Sequence, residues 1–145
     1  MSEVIIESKR KSDLVDFLQL ADFQVKDFGD DLYQVSRSEE LPVFLKVVEK
    51  ELFFEVDLGN ISNIADKELY FEILDLNTEI LPVSFGINNT NPQDPRLVLV
   101  ESRYTGDLSD QELLGVFDAL ELAVDKAEKI LSKKLPSIIP MNIST

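Results

Sequence analysis

The architecture of this chain can be read outward from Leu41 to Gly59, LPVFLKVVEKELFFEVDLG. Val43, Leu45 and Val47 alternate with Phe44, Lys46 and Val48, and after the polar pair Glu49-Lys50 the run ELFFEVDLG is again rich in strand formers. Two runs joined by so short a gap can only be antiparallel neighbours, because a parallel connection needs a dozen residues or more. Strands with one polar and one apolar face belong to a sheet covered on one side. Phe53 and Phe54 are adjacent, so they point to opposite faces, and both rings are buried only where both faces are covered. A dimer partner or a bound peptide would supply the second cover.

Upstream, QVKDFG from Gln24 and DLYQVSR from Asp31 extend the sheet by further short strands, separated by Asp30-Asp31. Before them Leu14, Phe17, Leu18 and Ala21 recur at helical spacing, which predicts an amphipathic helix from Ser12 to about Ala21 or Asp22. Downstream, Asp66 is a candidate N-cap for a second helix carrying Leu69, Tyr70, Ile73, Leu74 and Leu76. Asn77 is expected to be the left-handed residue that ends it, and Pro82 bars its continuation. Strands are expected at Val83–Asn88 and Leu97–Tyr104, with the loop NNTNPQDP between them exposed.

Ser109-Asp-Gln-Glu112 is a capping box, in which the hydroxyl and the carboxylate satisfy each other's orphan backbone donors. Behind it Leu113, Phe117, Leu120, Val124, Ala127 and Leu131 form one apolar stripe. A helix of about 25 residues is roughly 38 Å long, enough to cross a small sheet. Asp110 and Glu112 at its start and Lys126, Lys129, Lys133 and Lys134 near its end complement the helix dipole. Pro136 terminates it. These elements predict an α+β fold, an antiparallel sheet of five to six strands with helices on one face, in the order α-β-β-β(-β)-α-β-β-α. Residues 1–135 would form one domain, with Pro136–Thr145 as an extended tail.

The chain has 145 residues, with 28 Asp plus Glu, 14 Lys plus Arg, no His and no Cys, hence a formal charge of −14. Phosphate binding needs cationic side chains, so this balance argues against a nucleic-acid binder, and it would be repelled by an anionic membrane surface. Without His or Cys there is no Ser-His-Asp or Cys-His nucleophile, no thiolate redox centre and no ordinary zinc site. Apolar residues make up 44%, enough for a core. The start, MSEVIIESKRK, lacks the basic beginning and long apolar run of a signal peptide, and no window reaches the roughly 18 apolar residues of a membrane span. A cytoplasmic location is expected.

Carboxylates are the only abundant acid or base groups. Glu55 and Asp57 face the same way on a strand, and Glu68, Glu72, Asp75 and Glu79 lie on one helix flank. Such groups could hold Ca²⁺ or Mg²⁺ or form a glycosidase pair, but a solvated face is the favoured reading. Gly59 and Gly86 stand alone, as turn or bulge residues rather than a phosphate loop. Ser84 has no His base and no G-x-S-x-G context. No catalytic residue, cofactor site or metal ligand is therefore assigned.

The element order resembles the secretion-chaperone-like superfamily, which includes class I type III secretion chaperones and YbjN-like proteins. A sharper likeness, over about residues 10–132, is to the bacterial YjfI family. It rests on LPVFLKVVEKELFFE (Leu41–Glu55), ILDLNTEILPVSFGI (Ile73–Ile87) and LSDQELLGVFDALELA (Leu108–Ala123). The resemblance implies a small acidic cytoplasmic dimer that binds an extended segment of another protein. It also suggests a phage-shock-protein-A-like membrane-stress protein as partner, through gene neighbourhood in some bacteria. The expected function is thus a non-enzymatic, chaperone- or adaptor-like module, a homodimer, whose Phe44, Phe53, Phe54, Phe85, Glu55 and Asp57 meet the partner. The alternatives are an acidic nucleic-acid mimic that inhibits a basic protein, or a carboxylate metal-dependent hydrolase.

Overall fold

The computed structural model describes residues 11–106 and 108–134, so the tail expected at Pro136–Thr145 lies outside the described residues. Within them the chain forms α1 (Lys11–Leu20), β1 (Gln24–Asp27), β2 (Leu32–Ser36), β3 (Val43–Val48), β4 (Glu51–Gly59), α2 (Lys67–Leu76), β5 (Ser84–Asn88), β6 (Arg96–Tyr104) and α3 (Asp110–Lys134). The six strands make one antiparallel sheet in the order β1-β2-β3-β4-β6-β5. The predicted α+β class and element order are those observed, with four strands before α2.

The segment Leu41–Gly59 is the β3–β4 hairpin. Val48 pairs with Glu51 across the two-residue turn Glu49-Lys50, where Glu49 takes a left-handed φ of 52°. At its far end β4 carries an irregularity between Asp57 and Gly59, whose φ of 107° suits only glycine, and the Gly59 N–H donates to the Asp57 carboxylate at 2.8 Å. Gly59 is thus the bulge residue expected, whereas Gly86 lies inside β5.

One face of this sheet is the core. Tyr33 and Val35, Val43, Leu45 and Val47, Leu52, Phe54 and Val56, Leu97 and Leu99, and Phe85 all point to it. Against them α3 buries Leu113, Val116, Phe117, Leu120, Ala123, Val124 and Ala127. Phe117 sits at the centre, 4.7 Å from the ring of Phe23 and edge-on to Phe54 at 5.7 Å. Leu14 and Leu18 of α1 and Leu69, Ile73 and Leu76 of α2 complete the layer. All three helices therefore cover the same side.

The capping box of α3 is present. Glu112 N–H donates to Ser109 Oγ at 3.1 Å, and Ser109 N–H donates to Glu112 Oε1 at 3.0 Å. Replacing such a cap costs about 1 kcal/mol, so Ser109→Ala should lower the urea midpoint accordingly with the m-value unchanged. Asp66 caps α2 by accepting from Leu69 N–H at 2.7 Å. That bond first, then Lys134, holds the Asp66 carboxyl below its usual range, and the Ser109 N–H does the same for Glu112.

A depressed folded-state pKa stabilises the fold above the unfolded value, about 4 for a carboxyl, and the gain is lost as pH falls through the folded value. Urea unfolding followed by circular dichroism should show stability falling below about pH 4. Asp66→Asn should flatten that acid limb, since Asn retains the cap but does not titrate.

The structure revises two local expectations. Asn77 is right-handed (φ −55°, ψ −28°) rather than left-handed, because three-residue hydrogen bonds from Thr78 and Glu79 back to Asp75 and Leu76 tighten the helix end instead. Its side-chain oxygen accepts from Phe85 N–H at 2.7 Å, tying α2 to the start of β5. The acidic flank of α2 is also not purely solvated. Lys134 reaches Asp66 at 3.0 Å and Glu68 at 2.7 Å, and Lys133 and Lys126 lie 3.9 Å from Glu72 and Glu79. The lysines of α3 thus pair with α2, at about 0–1 kcal/mol for each exposed pair.

Candidate functional site: the open face of the sheet

The other face of the sheet has no helix over it among the described residues. The cross-strand register places Lys26, Gln34, Phe44, Glu55, Val100 and Ser84 in one row and Leu32, Lys46, Phe53 and Ser102 in the next. Phe44 and Phe53 are diagonal neighbours, within reach of one another's rings. Phe28, beyond the end of β1, stacks on Phe44 with centroids 6.3 Å apart. Leu32, Phe44, Lys46, Phe53, Glu55 and Val100 line a groove of about 390 Å³. Phe53 is 40% exposed, whereas its neighbour Phe54 is 1% exposed.

The six residues expected at a partner site thus separate by face. Phe44, Phe53, Glu55 and Asp57 come together on the open side. Phe54 and Phe85 are buried on the opposite side, because strand alternation assigns them to the core once only one face is covered. Phe28, Leu32 and Val100 were not foreseen. Leu32 and Val100 follow from the register, which a lone sequence does not specify, and Phe28 lies in a turn where alternation has no meaning.

Electrostatically this face is more balanced than the net charge implies. Arg96 holds both Asp57 and Asp94 at 3.1 Å, and Asn60 also donates to Asp94, at 2.8 Å. The Asn60 hydrogen bond, then Arg96, keeps the Asp94 carboxyl below the ordinary range. Glu55 accepts from Asn88 at 3.2 Å, and Lys46 donates to the Asp30 carbonyl at 2.8 Å. What remains at the centre is an apolar floor with a cation on one side and a carboxylate on the other.

Acid is concentrated elsewhere. Asp118, Glu121, Asp125 and Glu128 run along one flank of α3 beside Glu40, whose carboxyl is pushed above its usual range first by Glu121 and next by desolvation. Arg37 pairs with Asp118 and Glu121 and lies over the Phe23 ring, 4.9 Å from its centroid. Among the described residues no three carboxylates are grouped so as to hold a metal ion, and no helix is long and apolar enough to cross a membrane.

No family model and no curated protein sequence matches the chain. Solved structures do. The SpcU chain of the heterodimeric ExoU–SpcU complex, from the type III secretion system of Pseudomonas aeruginosa, matches with a TM-score of 0.65 and 17% identity, over 79% of this chain and 94% of that one. YbjN from E. coli matches with a TM-score of 0.59 and 11% identity, over 89% of this chain and 90% of its own. At such identities the likeness establishes architecture. The chain has the secretion-chaperone-like fold seen in SpcU and YbjN.

Proposed function

We propose that this chain is a non-enzymatic protein-binding module, chaperone- or adaptor-like, that works as a homodimer and holds an extended segment of a partner on the open face of its sheet. The observation that carries this reading is Phe53, 40% exposed in the middle of a central strand and flanked by Phe44, Leu32 and Val100 over a groove of about 390 Å³. Apolar surface of this kind, rimmed by polar groups, marks interaction sites. An extended segment would seat a large apolar side chain on the Phe44–Phe53 floor and align its polar groups with Lys46, Glu55 and the Asp57–Arg96 pair. The acidic flank of α3 would speed the approach of cationic partners, an effect that fades with salt.

SpcU occurs in a complex with another protein, which favours protein as the ligand class. The YjfI-like stretches favour a phage-shock-protein-A-like membrane-stress protein as that partner and a cytoplasmic setting. Random peptides displayed on phage and selected on the immobilised chain test the reading. The expected winners carry a large apolar residue between polar ones and lose binding to Phe53→Asp. Winners that bind Phe53→Asp as well as the wild type would remove the open face from the account.

A second reading, an acidic mimic of nucleic acid occupying a basic protein's groove, draws on the α3 flank. There Asp118, Glu121, Asp125 and Glu128 recur every three to four residues, about 4.5–6 Å along the axis. Arg37 already engages two of these four, which weakens the mimicry. Asp125→Lys with Glu128→Lys would abolish binding under this reading and leave it nearly intact under the first.

A further inference from the structure

We infer that the edge strand β5, with the exposed side of α2, is the seam along which two copies of this chain join, Gly86 lying on the twofold axis. This deepens the homodimer reading above and rests on it, but is independent of what the open face binds.

The two sheet edges differ in kind. An unpaired edge strand is a template for another strand unless charge, proline or a bulge blunts it. β1 carries Lys26 and Asp27, whereas β5 reads Ser-Phe-Gly-Ile-Asn, without charge or proline. Beside β5, Tyr70 and Leu74 of α2 line an apolar groove of about 150 Å³ with Phe85, Ile87 and Leu97. Ile87 is 49% exposed and Leu74 65%, and Phe71 is more open still. Carboxylates that could spoil this strip are directed away, Glu68 to Lys134 and Glu72 to Lys133. For a chain of net charge −14, an uncharged strip is where a second copy approaches at least electrostatic cost.

The strip is also self-complementary. Antiparallel pairing of β5 with its own copy uses the full strand only if Gly86 faces Gly86, which sets Ser84 against the partner subunit's Asn88 and Phe85 against the partner subunit's Ile87. Directly opposite residues share a face, so the buried row Val56, Leu99, Phe85 continues into the partner subunit's Ile87 and Leu97. The result is an isologous contact in which both sheets become one, roofed by the two α2 helices. The aromatic groove of the opposite face stays open on both copies.

Light scattering and sedimentation of the purified chain test this, with circular dichroism confirming that each variant is folded. The wild type should be a dimer. Ile87→Glu and Leu74→Glu, both at exposed positions, should each raise the dimer dissociation constant roughly 100-fold or more, because each substitution acts twice across the axis. Phe53→Asp should leave it unchanged. The chain has no cysteine, and a Cβ at Gly86 would meet only Val98 Cγ2, at 3.9 Å. Gly86→Cys should therefore give a disulfide-linked dimer on mild oxidation, since facing strand residues lie within bridging distance, and Lys26→Cys should not. A wild type that is monomeric at every concentration overturns the homodimer and the seam together. A wild-type dimer that ignores both Glu substitutions and yields no Gly86→Cys link overturns the seam alone.

Discussion

Phe54→Ala is expected to lower the unfolding free energy by about 3–5 kcal/mol, the cost of emptying a well-packed aromatic site. Phe53→Ala, one residue away, should change it by less than about 1 kcal/mol. The contrast follows from alternation. Phe54 lies under Phe117, which also packs against Phe23, so truncation leaves a cavity that three elements would have to collapse to fill. Phe53 borders solvent and its loss opens no void. Urea denaturation followed by far-ultraviolet circular dichroism measures both, with unchanged m-values showing that the end states are the same. Equal losses would mean that the second face is covered in the free chain.

The second large effect concerns binding. Phe53→Asp should weaken the affinity for a selected segment at least ~30-fold, the scale of a buried hot-spot aromatic, with little change in stability. The introduced carboxylate would stand opposite Lys46 in the register, where the fold tolerates it. In the groove, however, it would have to be desolvated beneath an apolar side chain, at a cost the segment does not recover. Titration calorimetry with wild type and variant side by side gives the ratio. Phe44→Asp should behave alike, because Phe44 and Phe53 share one floor, and the two substitutions together should be less than additive.

How much of this could be read from residues alone depended on range. The β3–β4 hairpin was legible because its signals are local: a period of two, a polar two-residue turn and a glycine at the bulge. The capping box and apolar stripe of α3 were legible for the same reason. Asn77 was misread because a helix end can tighten through three-residue hydrogen bonds as readily as it can reverse at a left-handed residue, and its tie to Phe85 spans a turn that no periodicity encodes. The lysines of α3 read as dipole partners of their own helix, but they also answer the acidic flank of α2, a contact that exists only once both helices lie on one sheet face. At the open face, sequence reasoning identified the problem posed by Phe53 and Phe54. It could not divide the aromatics between faces, because insertion of β6 between β4 and β5 is a topological choice that sets which residues stand beside Phe53.

The most direct test is to titrate a segment selected on the wild-type chain into isotopically labelled protein and map the amide shifts. The account predicts that they concentrate on β3, β4 and β6 around Phe44, Phe53 and Val100, with α3 unaffected, and that they vanish in Phe53→Asp. Shifts confined to the Asp118–Glu128 flank of α3, and persisting in Phe53→Asp, would contradict it.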